Sequence, residues 1–354
     1  IIMSEKTIVL TGGGTAGHCL PCIALLPTIK KYFRKIYYVG REDGIEKRLA
    51  EEAGVEYYGV PCVKLERKLT LKNLGIPFTL LKGISKSKKL LEELKPDAVF
   101  SKGGYVALPV ALAAEKLNIP TVLHESDMSL GLANKLAVKK ATALLCGFKP
   151  LSYEYPRAVF TGNPIREELF KKRDNKAIIC DFGFNEAKPV LLVFGGSQGA
   201  EAINEIVIKT IDDLVKNFSV LHLTGKNKRT NIKKDGYYEA EYLSDMGAAF
   251  SVADVCVSRA GANALNELIA LKIPTLAIPL PKGNSRGDQE QNADYYRRYG
   301  AIRTLSEPEM TKDVFIKEIF ATYASAEQLK RNAEKCLSPN ANEKIVEEIV
   351  KASL

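Results

Sequence analysis

No apolar run in these 354 residues is long enough to cross a bilayer, which argues against a membrane-spanning chain. No signal-peptide pattern opens the sequence either. The seven cysteines (Cys19, Cys22, Cys62, Cys146, Cys180, Cys256 and Cys336) lack metal-ligand spacing. Cys19 and Cys22 form C-x-x-C, but no second pair and no histidine cluster accompanies them, which argues against zinc. The Gly-rich segment in which that pair sits explains it better than a thioredoxin-like motif does. The thiols are therefore expected to be reduced and structural, as in a cytoplasmic protein. No aspartate pair stands at an evident metal-binding spacing, so neither a metal nor a cofactor is expected.

What is present is ordinary for a globular protein, with 46% hydrophobic and 26% charged residues and length enough for two cores. The net charge of +9 is unevenly spread. Between Lys64 and Lys89 stand eight basic residues (Lys64, Arg67, Lys68, Lys72, Lys82, Lys86, Lys88 and Lys89) against the single acid Glu66, a local +7. The rest of the chain is close to neutral.

The apolar run Ile8–Leu10 opens into Thr11–His18 (TGGGTAGH) and then a helical pattern, which predicts strand, Gly-rich loop and helix. Glycines let backbone approach a ligand, and the helix start behind them offers unpaired N–H groups to an anion. Strands are predicted at 36–40, 57–60, 98–100, 121–123, 141–146 and 158–161, and helices at 45–53, 84–94 and 106–117. The pattern then restarts. Pro189–Phe194 is a strand before a second Gly-rich loop, Gly195–Gly199; helices follow at 202–214 and 264–271, and strands at 220–224, 254–257 and 274–278. The polar stretch 281–293 is read as a loop, and 342–353 as an amphipathic helix that packs back on the first domain.

The halves overlay. Asp97–Gly104 (DAVFSKGG) matches Asp254–Gly261 (DVCVSRAG) at a constant offset of 157, and Ile119-Pro120-Thr121 matches Ile273-Pro274-Thr275 after three residues are dropped. The βα alternation implies parallel sheets with ligands at the carboxyl ends of the strands. The expected fold class is α/β, two facing Rossmann-like domains with parallel sheets and an interdomain cleft. The expected boundaries are 1–163 with the helix at about 341–354, and 164–340.

Gly12, Gly14 and Gly17 also satisfy the dinucleotide fingerprint G-x-G-x-x-G. That reading demands an acid closing the second strand, but the strand ends at Arg41-Glu42-Asp43. Arg41 would suit an NADP phosphate, so an NADP oxidoreductase stays open, although it has no need of a second Gly-rich loop. In the second half, Ser258–Glu267 is a small-residue turn entering a helix, with Glu267 placed either to accept from ribose hydroxyls or to complement the helix dipole. Gln289, Gln291 and Asn292 suit a sugar.

The motifs GGGTAGH, SKGGYVALP, HES, FTGNPIR, FGGSQGA, SRAGANALNE and DQEQNA stand in an order and spacing that resemble the MurG family, over nearly the whole chain. Those enzymes transfer N-acetylglucosamine from UDP-N-acetylglucosamine to lipid I in peptidoglycan synthesis. The resemblance implies a GT-B fold, with the donor held by the C-terminal domain and the lipid-linked acceptor by the N-terminal one. It places Ser197 and Gln198 at the diphosphate and the Leu243 backbone at the uracil. Ala262, Asn263, Ala264, Leu265 and Asn266 then line the nucleotide, Glu267 sits on the ribose, and Gln289 and Asn292 on the sugar. Thr15, Ala16 and Gly17 close over the sugar and acceptor, joined by Asp127 and by Arg166 of the linker. The chain departs from the family at Ala16, in place of a glycine, at Ser126-Asp127, in place of Gln-Asn, and at Ala260, in place of a serine.

Inverting transfer to the muramyl 4-hydroxyl needs a base and charge stabilisation for the departing UDP. His18 is the first candidate base, because histidine titrates near neutrality, and Glu125 the second; His124 is read as structural. The alternative for His18 is a hydrogen bond to its own loop or to an acceptor phosphate. The Lys64–Lys89 segment interleaves its charges with Leu71, Leu74, Ile76, Pro77, Phe78, Leu80 and Leu81. That pattern suits an anionic membrane surface, and hence peripheral attachment at the cytoplasmic face of the cell membrane. A helix with a buried stripe and a solvated basic face is the competing reading. Nucleic acid is not expected, since Phe78 is the only aromatic there for base stacking. A UDP-sugar epimerase of similar fold is the alternative enzyme.

Overall fold

The computed structural model describes residues 6–63, 75–196, 198–283, 286–338 and 340–354. Those residues divide into two compact units, Ile1–Arg166 with Ser338–Leu354, and Glu167–Leu337. The breaks fall three residues beyond one sequence boundary and three residues before the other, and Arg166 closes the first unit.

In the first unit the strands are β1 (Thr7–Thr11), β2 (Lys35–Arg41), β3 (Glu56–Val60), β4 (Ala98–Ser101), β5 (Thr121–Glu125), β6 (Ala143–Cys146) and β7 (Ala158–Phe160). The helices are α1 (Ala16–Ala24), α2 (Leu26–Ile29), α3 (Ile45–Glu52), α4 (Ile76–Leu94), α5 (Ala107–Lys116) and α6 (Leu132–Ala137). The second unit holds β8 (Val190–Phe194), β9 (Ser219–Leu223), β10 (Tyr237–Ala240), β11 (Val255–Ser258), β12 (Thr275–Ala277) and β13 (Arg303–Thr304). Its helices are α7 (Asn175–Asp181), α8 (Glu201–Asn217), α9 (Met246–Val252), α10 (Ala262–Ala270), α11 (Asp288–Arg298), α12 (Lys312–Ala324) and α13 (Ala326–Glu334). The last helix, α14 (Ala341–Ala352), belongs to the first unit.

Among the described residues the sheet orders are β3-β2-β1-β4-β5-β6-β7 and β10-β9-β8-β11-β12-β13, and the strand pairings are parallel. Both put their strand-order reversal beside the strand that feeds the Gly-rich loop, the crevice where doubly wound sheets hold ligands. The repeat seen in the sequence is thus structural, β4 and β5 corresponding to β11 and β12.

Both faces of the first sheet are covered, which is why its strands read as continuous apolar runs. Ile8 and Leu10 pack with Phe100, Cys19, Cys22 and, from α14, Ile345, Val346 and Ile349. Val9 points the other way, onto Ile84 and Leu91 of α4 and Val110 of α5. In the second unit α8 and α12 bury Ile203, Val207, Ile211, Phe315 and Ile319 against Leu191, Val193, Val220 and Val257.

The structure corrects three readings. Residues 288–298 form α11, so Gln289 and Asn292 stand on a helix rather than in a polar loop. The α4 helix begins at Ile76 with Pro77 in its first turn, where a missing N–H costs nothing. The β5 strand runs past the predicted 121–123 to end at Glu125, with His124 within it.

Candidate active site

In the first unit, β1 delivers the chain into Gly12–Thr15 and α1 begins at Ala16 behind an extended Thr15 whose side chain makes no cap to the helix. Gly14, at φ +84°, is packed against the Tyr105 ring so closely that a side chain would strike it. A Cβ on Gly104 would stand 2.5 Å from the Gly13 carbonyl oxygen and 3.4 Å from the His18 ring. Two loops therefore interlock at the strand ends, one carrying His18 and the other Gly103–Tyr105. His18, half-buried, has Nδ1 2.9 Å from Thr15 Oγ1. Thr15 and Gly17 are exposed beside it, with Ala16 partly covered.

Two buried charges that sequence reading missed hold this arrangement. Glu46, in the first turn of α3, accepts from the Gly14 N–H at 3.4 Å and the Arg41 N–H at 3.1 Å. Its acid-in-the-first-turn position was the available signal. Lys102, only 2% exposed, follows β4; its N–H bonds the Thr11 carbonyl at 2.8 Å and its ammonium donates to Ser126 Oγ. Burial holds the Lys102 pKa below its usual value, opposed by the neighbouring Glu125 carboxylate.

Glu125 is committed to the loop that follows it. Its oxygens accept from the Asp127 N–H at 3.2 Å, the Gly131 N–H at 2.8 Å and Asn134 Nδ2 at 3.0 Å. Asp127 is half-buried on that loop, close enough for its charge to act on Lys102. His124 is wholly buried, with Nε2 2.9 Å from the Gly162 carbonyl, and burial together with Lys102 pushes its pKa well below the usual histidine value. It is a core histidine. Arg166 is half-buried at the end of the unit.

In the second unit, the Gly195–Gly199 loop leads from β8 into α8, whose first residues have no side-chain cap. Gly199, at φ +68°, lies on the Thr224 carbonyl and against Gly225, so neither glycine has room for a side chain. Gly196, at φ +85°, faces open space. Gln198 is exposed on this loop, while Ser197 lies outside the described residues.

Next along the sheet, α10 starts at Ala262 behind Gly261, again with no side-chain cap. Asn263, Ala264, Asn266 and Glu267 are half-buried. Leu265 is turned into the core and its N–H is bonded to the Gly261 carbonyl at 3.0 Å, so its side chain faces away from this edge. The α11 helix packs alongside: Tyr296 OH donates to Asn266 Oδ1 at 3.0 Å, and Asn292 Nδ2 reaches the Ala260 carbonyl at 3.4 Å. Gln289 Oε1 accepts from the Leu280 N–H at 3.0 Å. Leu243 is half-buried in the segment between β10 and α9.

Arg259, 157 positions after Lys102, repeats its part. It pairs with Glu307 at 2.6 Å and donates to the Ile278 carbonyl at 3.2 Å, bracing the end of the next strand. In each unit a cation after the fourth strand, Lys102 buried and Arg259 half-buried, holds the segment that follows the fifth.

The description of the glycosyltransferase family 28 N-terminal domain matches residues 8–146, and that of the family's C-terminal domain matches residues 190–350. A Lachnospira eligens protein named UDP-N-acetylglucosamine–N-acetylmuramyl-(pentapeptide) pyrophosphoryl-undecaprenol N-acetylglucosamine transferase is 45% identical over 347 residues, 96% of this chain and 98% of its own. The crystal structure of Acinetobacter baumannii MurG superposes with a TM-score of 0.74 at 24% identity, covering 98% of this chain and 99% of that one. The UDP-N-acetylglucosamine 2-epimerase of Neisseria meningitidis superposes at 0.66 with 15% identity, covering 98% and 100%, a likeness of fold alone.

Proposed function

The chain belongs to glycosyltransferase family 28, and from that premise we propose how its two units divide the reaction. It is a hexosyltransferase of GT-B fold that uses UDP-N-acetylglucosamine and transfers N-acetylglucosamine to lipid I, forming lipid II in peptidoglycan synthesis. The observation that carries this is the near-full-length identity of 45%, on a chain in which both sheets present Gly-rich loops at their strand-order reversals. The epimerase alternative has only the shared fold behind it.

The second unit holds the donor. Backbone N–H groups of the Gly195–Gly199 loop and of the α10 start receive the diphosphate, stabilising the charge that grows on UDP as it leaves. Glu267 accepts from the ribose, Leu243 meets the uracil through its backbone, and Gln289 and Asn292 take the sugar hydroxyls. In the first unit Thr15, Ala16, Gly17, Asp127 and Arg166 receive the acceptor. His18 removes the proton of the muramyl 4-hydroxyl as that oxygen attacks the anomeric carbon in line, giving inversion. Thr15 Oγ1 holds the ring at Nδ1, and the tautomer that donates Nδ1–H to this hydroxyl is the one that carries the basic lone pair on Nε2. Glu125, engaged by three donors, positions the 126–131 loop rather than acting as the base.

The enzyme attaches peripherally to an anionic membrane, and no helix among the described residues is long and apolar enough to cross one. The supporting feature is the start of α4, where Phe78 and Leu81 are 78% and 60% exposed beside the exposed Lys82, Lys86 and Lys89. Leu80 and Ile84 pack inward, so that part of the segment serves the core. Lys64, Arg67, Lys68, Leu71, Lys72 and Leu74 lie outside the described residues.

Turnover of labelled UDP-N-acetylglucosamine with a lipid I analogue, with and without chelator, tests the reading. Transfer to the analogue supports it. Isomerisation of the sugar nucleotide without acceptor would favour the epimerase instead.

A further inference from the structure

Beneath the Gly195–Gly199 loop runs a buried chain of polar side chains that none of the roles above uses. Asn204, at the start of α8, donates Nδ2 to the Thr224 carbonyl at 2.8 Å, the same oxygen on which Gly199 rests. Its Oδ1 lies 3.0 Å from His222 Nε2 on β9. His222 Nδ1 lies 2.9 Å from the Tyr237 hydroxyl on β10, which is 3.2 Å from Glu239 Oε2. Glu239 is bonded in turn by the Thr230 hydroxyl at 2.9 Å, the Thr230 N–H at 3.2 Å and the Asn231 N–H.

Donor and acceptor rules fix the direction of this chain. With Nδ2 committed to a carbonyl, Asn204 can offer only an acceptor to His222, so Nε2 carries the proton. Burial keeps the imidazole neutral, lowering its pKa to about 4, which leaves Nδ1 to accept from Tyr237. The Tyr237 hydroxyl has one hydrogen for two acceptors, His222 Nδ1 and Glu239 Oε2, while the chain stays anchored at one end by Glu239 with its three other donors and at the other by the backbone under Gly199. Such a buried network restricts the geometry of what it touches.

We infer that Asn204, His222 and Tyr237 are positioning residues that set the Gly195–Gly199 loop for the donor's diphosphate. The inference rests on the assignment of that loop to the diphosphate. The chain meets the loop directly, at the Thr224 carbonyl under Gly199, and approaches Leu243 only along β10, so a ligand's diphosphate is expected to feel it rather than its nucleoside.

The test is calorimetric binding of UDP and of uridine to the full-length protein and to Tyr237→Phe, Asn204→Leu and His222→Gln. Tyr237→Phe removes one oxygen and preserves the fold if Asn204→Leu does not. The expected result is a UDP dissociation constant raised about tenfold in Tyr237→Phe and Asn204→Leu, with uridine unchanged. His222→Gln, which keeps a donor toward Asn204, is expected to lose less. Equal losses for UDP and uridine, or no loss for either, would overturn the positioning role. A wild-type protein that binds UDP no better than uridine would instead overturn the diphosphate assignment of the loop, and the inference with it.

Discussion

Thr15 and His18 face one another across the first turn of α1, with Oγ1 2.9 Å from Nδ1. The hydroxyl holds the imidazole through Nδ1 and so orients Nε2, the nitrogen proposed as the base. His18→Ala is expected to lower kcat by roughly 10²- to 10⁴-fold with acceptor affinity retained. Thr15→Val, which frees the ring, is expected to lose about tenfold in kcat, since it leaves the base in place and costs only its orientation. Steady-state kinetics with a lipid I analogue decide the matter, and near-normal turnover by His18→Ala removes the base assignment.

Gly199 combines a left-handed backbone with contact on the Thr224 carbonyl, whereas Gly196 has the same handedness and open space. Gly199→Ala is expected to cost on the order of 1–3 kcal/mol of stability and most of the UDP affinity. Gly196→Ala is expected to cost less than Gly199→Ala in thermal unfolding, because only the backbone preference is violated. Equal costs would mean that the contact with Thr224 does not constrain the loop.

His222 has its pKa lowered from 6.5 to about 4 by burial. Below pH 6.5 the unfolded chain binds a proton that the folded one refuses, so its contribution to stability is complete above pH 6.5 and is lost as pH falls toward 4. The swing amounts to about 3 kcal/mol at most. His124, depressed by burial and by Lys102, acts in the same direction. Urea midpoints measured between pH 7 and 4 are expected to fall steeply, and His222→Gln to flatten part of that slope. An unchanged slope in the variant would place the acid sensitivity elsewhere.

Reversal of Lys82, Lys86 and Lys89 to Glu is expected to weaken binding to vesicles containing anionic lipid by about a hundredfold or more. Phe78→Ser with Leu81→Ser is expected to weaken binding to neutral and anionic vesicles alike, because it removes the apolar part. Lys86 is tied to Glu42 at 2.6 Å, so its reversal also opposes that carboxylate, and thermal unfolding serves as the control. Vesicle binding indifferent to lipid charge and to the reversals would refute the membrane reading.

The alternation of strands and Gly-rich turns made the two-sheet architecture readable, and the match of 97–104 with 254–261 exposed the repeat in the sequence itself. The motifs also drew attention to both loops. Three things escaped for physical reasons. The α11 helix buries only Asn292, Ala293 and Tyr296, too narrow a stripe for apolar periodicity to reveal. Pro77 punctuates the sequence but is harmless in a first helical turn, so α4 looked eight residues shorter than it is. Lys102 and Glu46 carry charges that ordinarily mark solvent, and their burial draws on partners distant in the chain, Ser126 and the Gly14 backbone, as well as on the nearby Arg41 N–H. The duplicated position of Lys102 and Arg259 was visible as a match of residue type, but its bracing work was not.

The placement of Ile345, Val346 and Ile349 in the same cluster as Ile8 and Leu10 has a consequence for biogenesis. The first unit draws its core from segments more than 300 residues apart, while the second is one uninterrupted stretch. On the ribosome the inserted unit is completed first, and the unit whose strands emerge earliest waits for the last helix. Its apolar sheet face stays open through most of synthesis, an interval in which chaperone capture competes with completion.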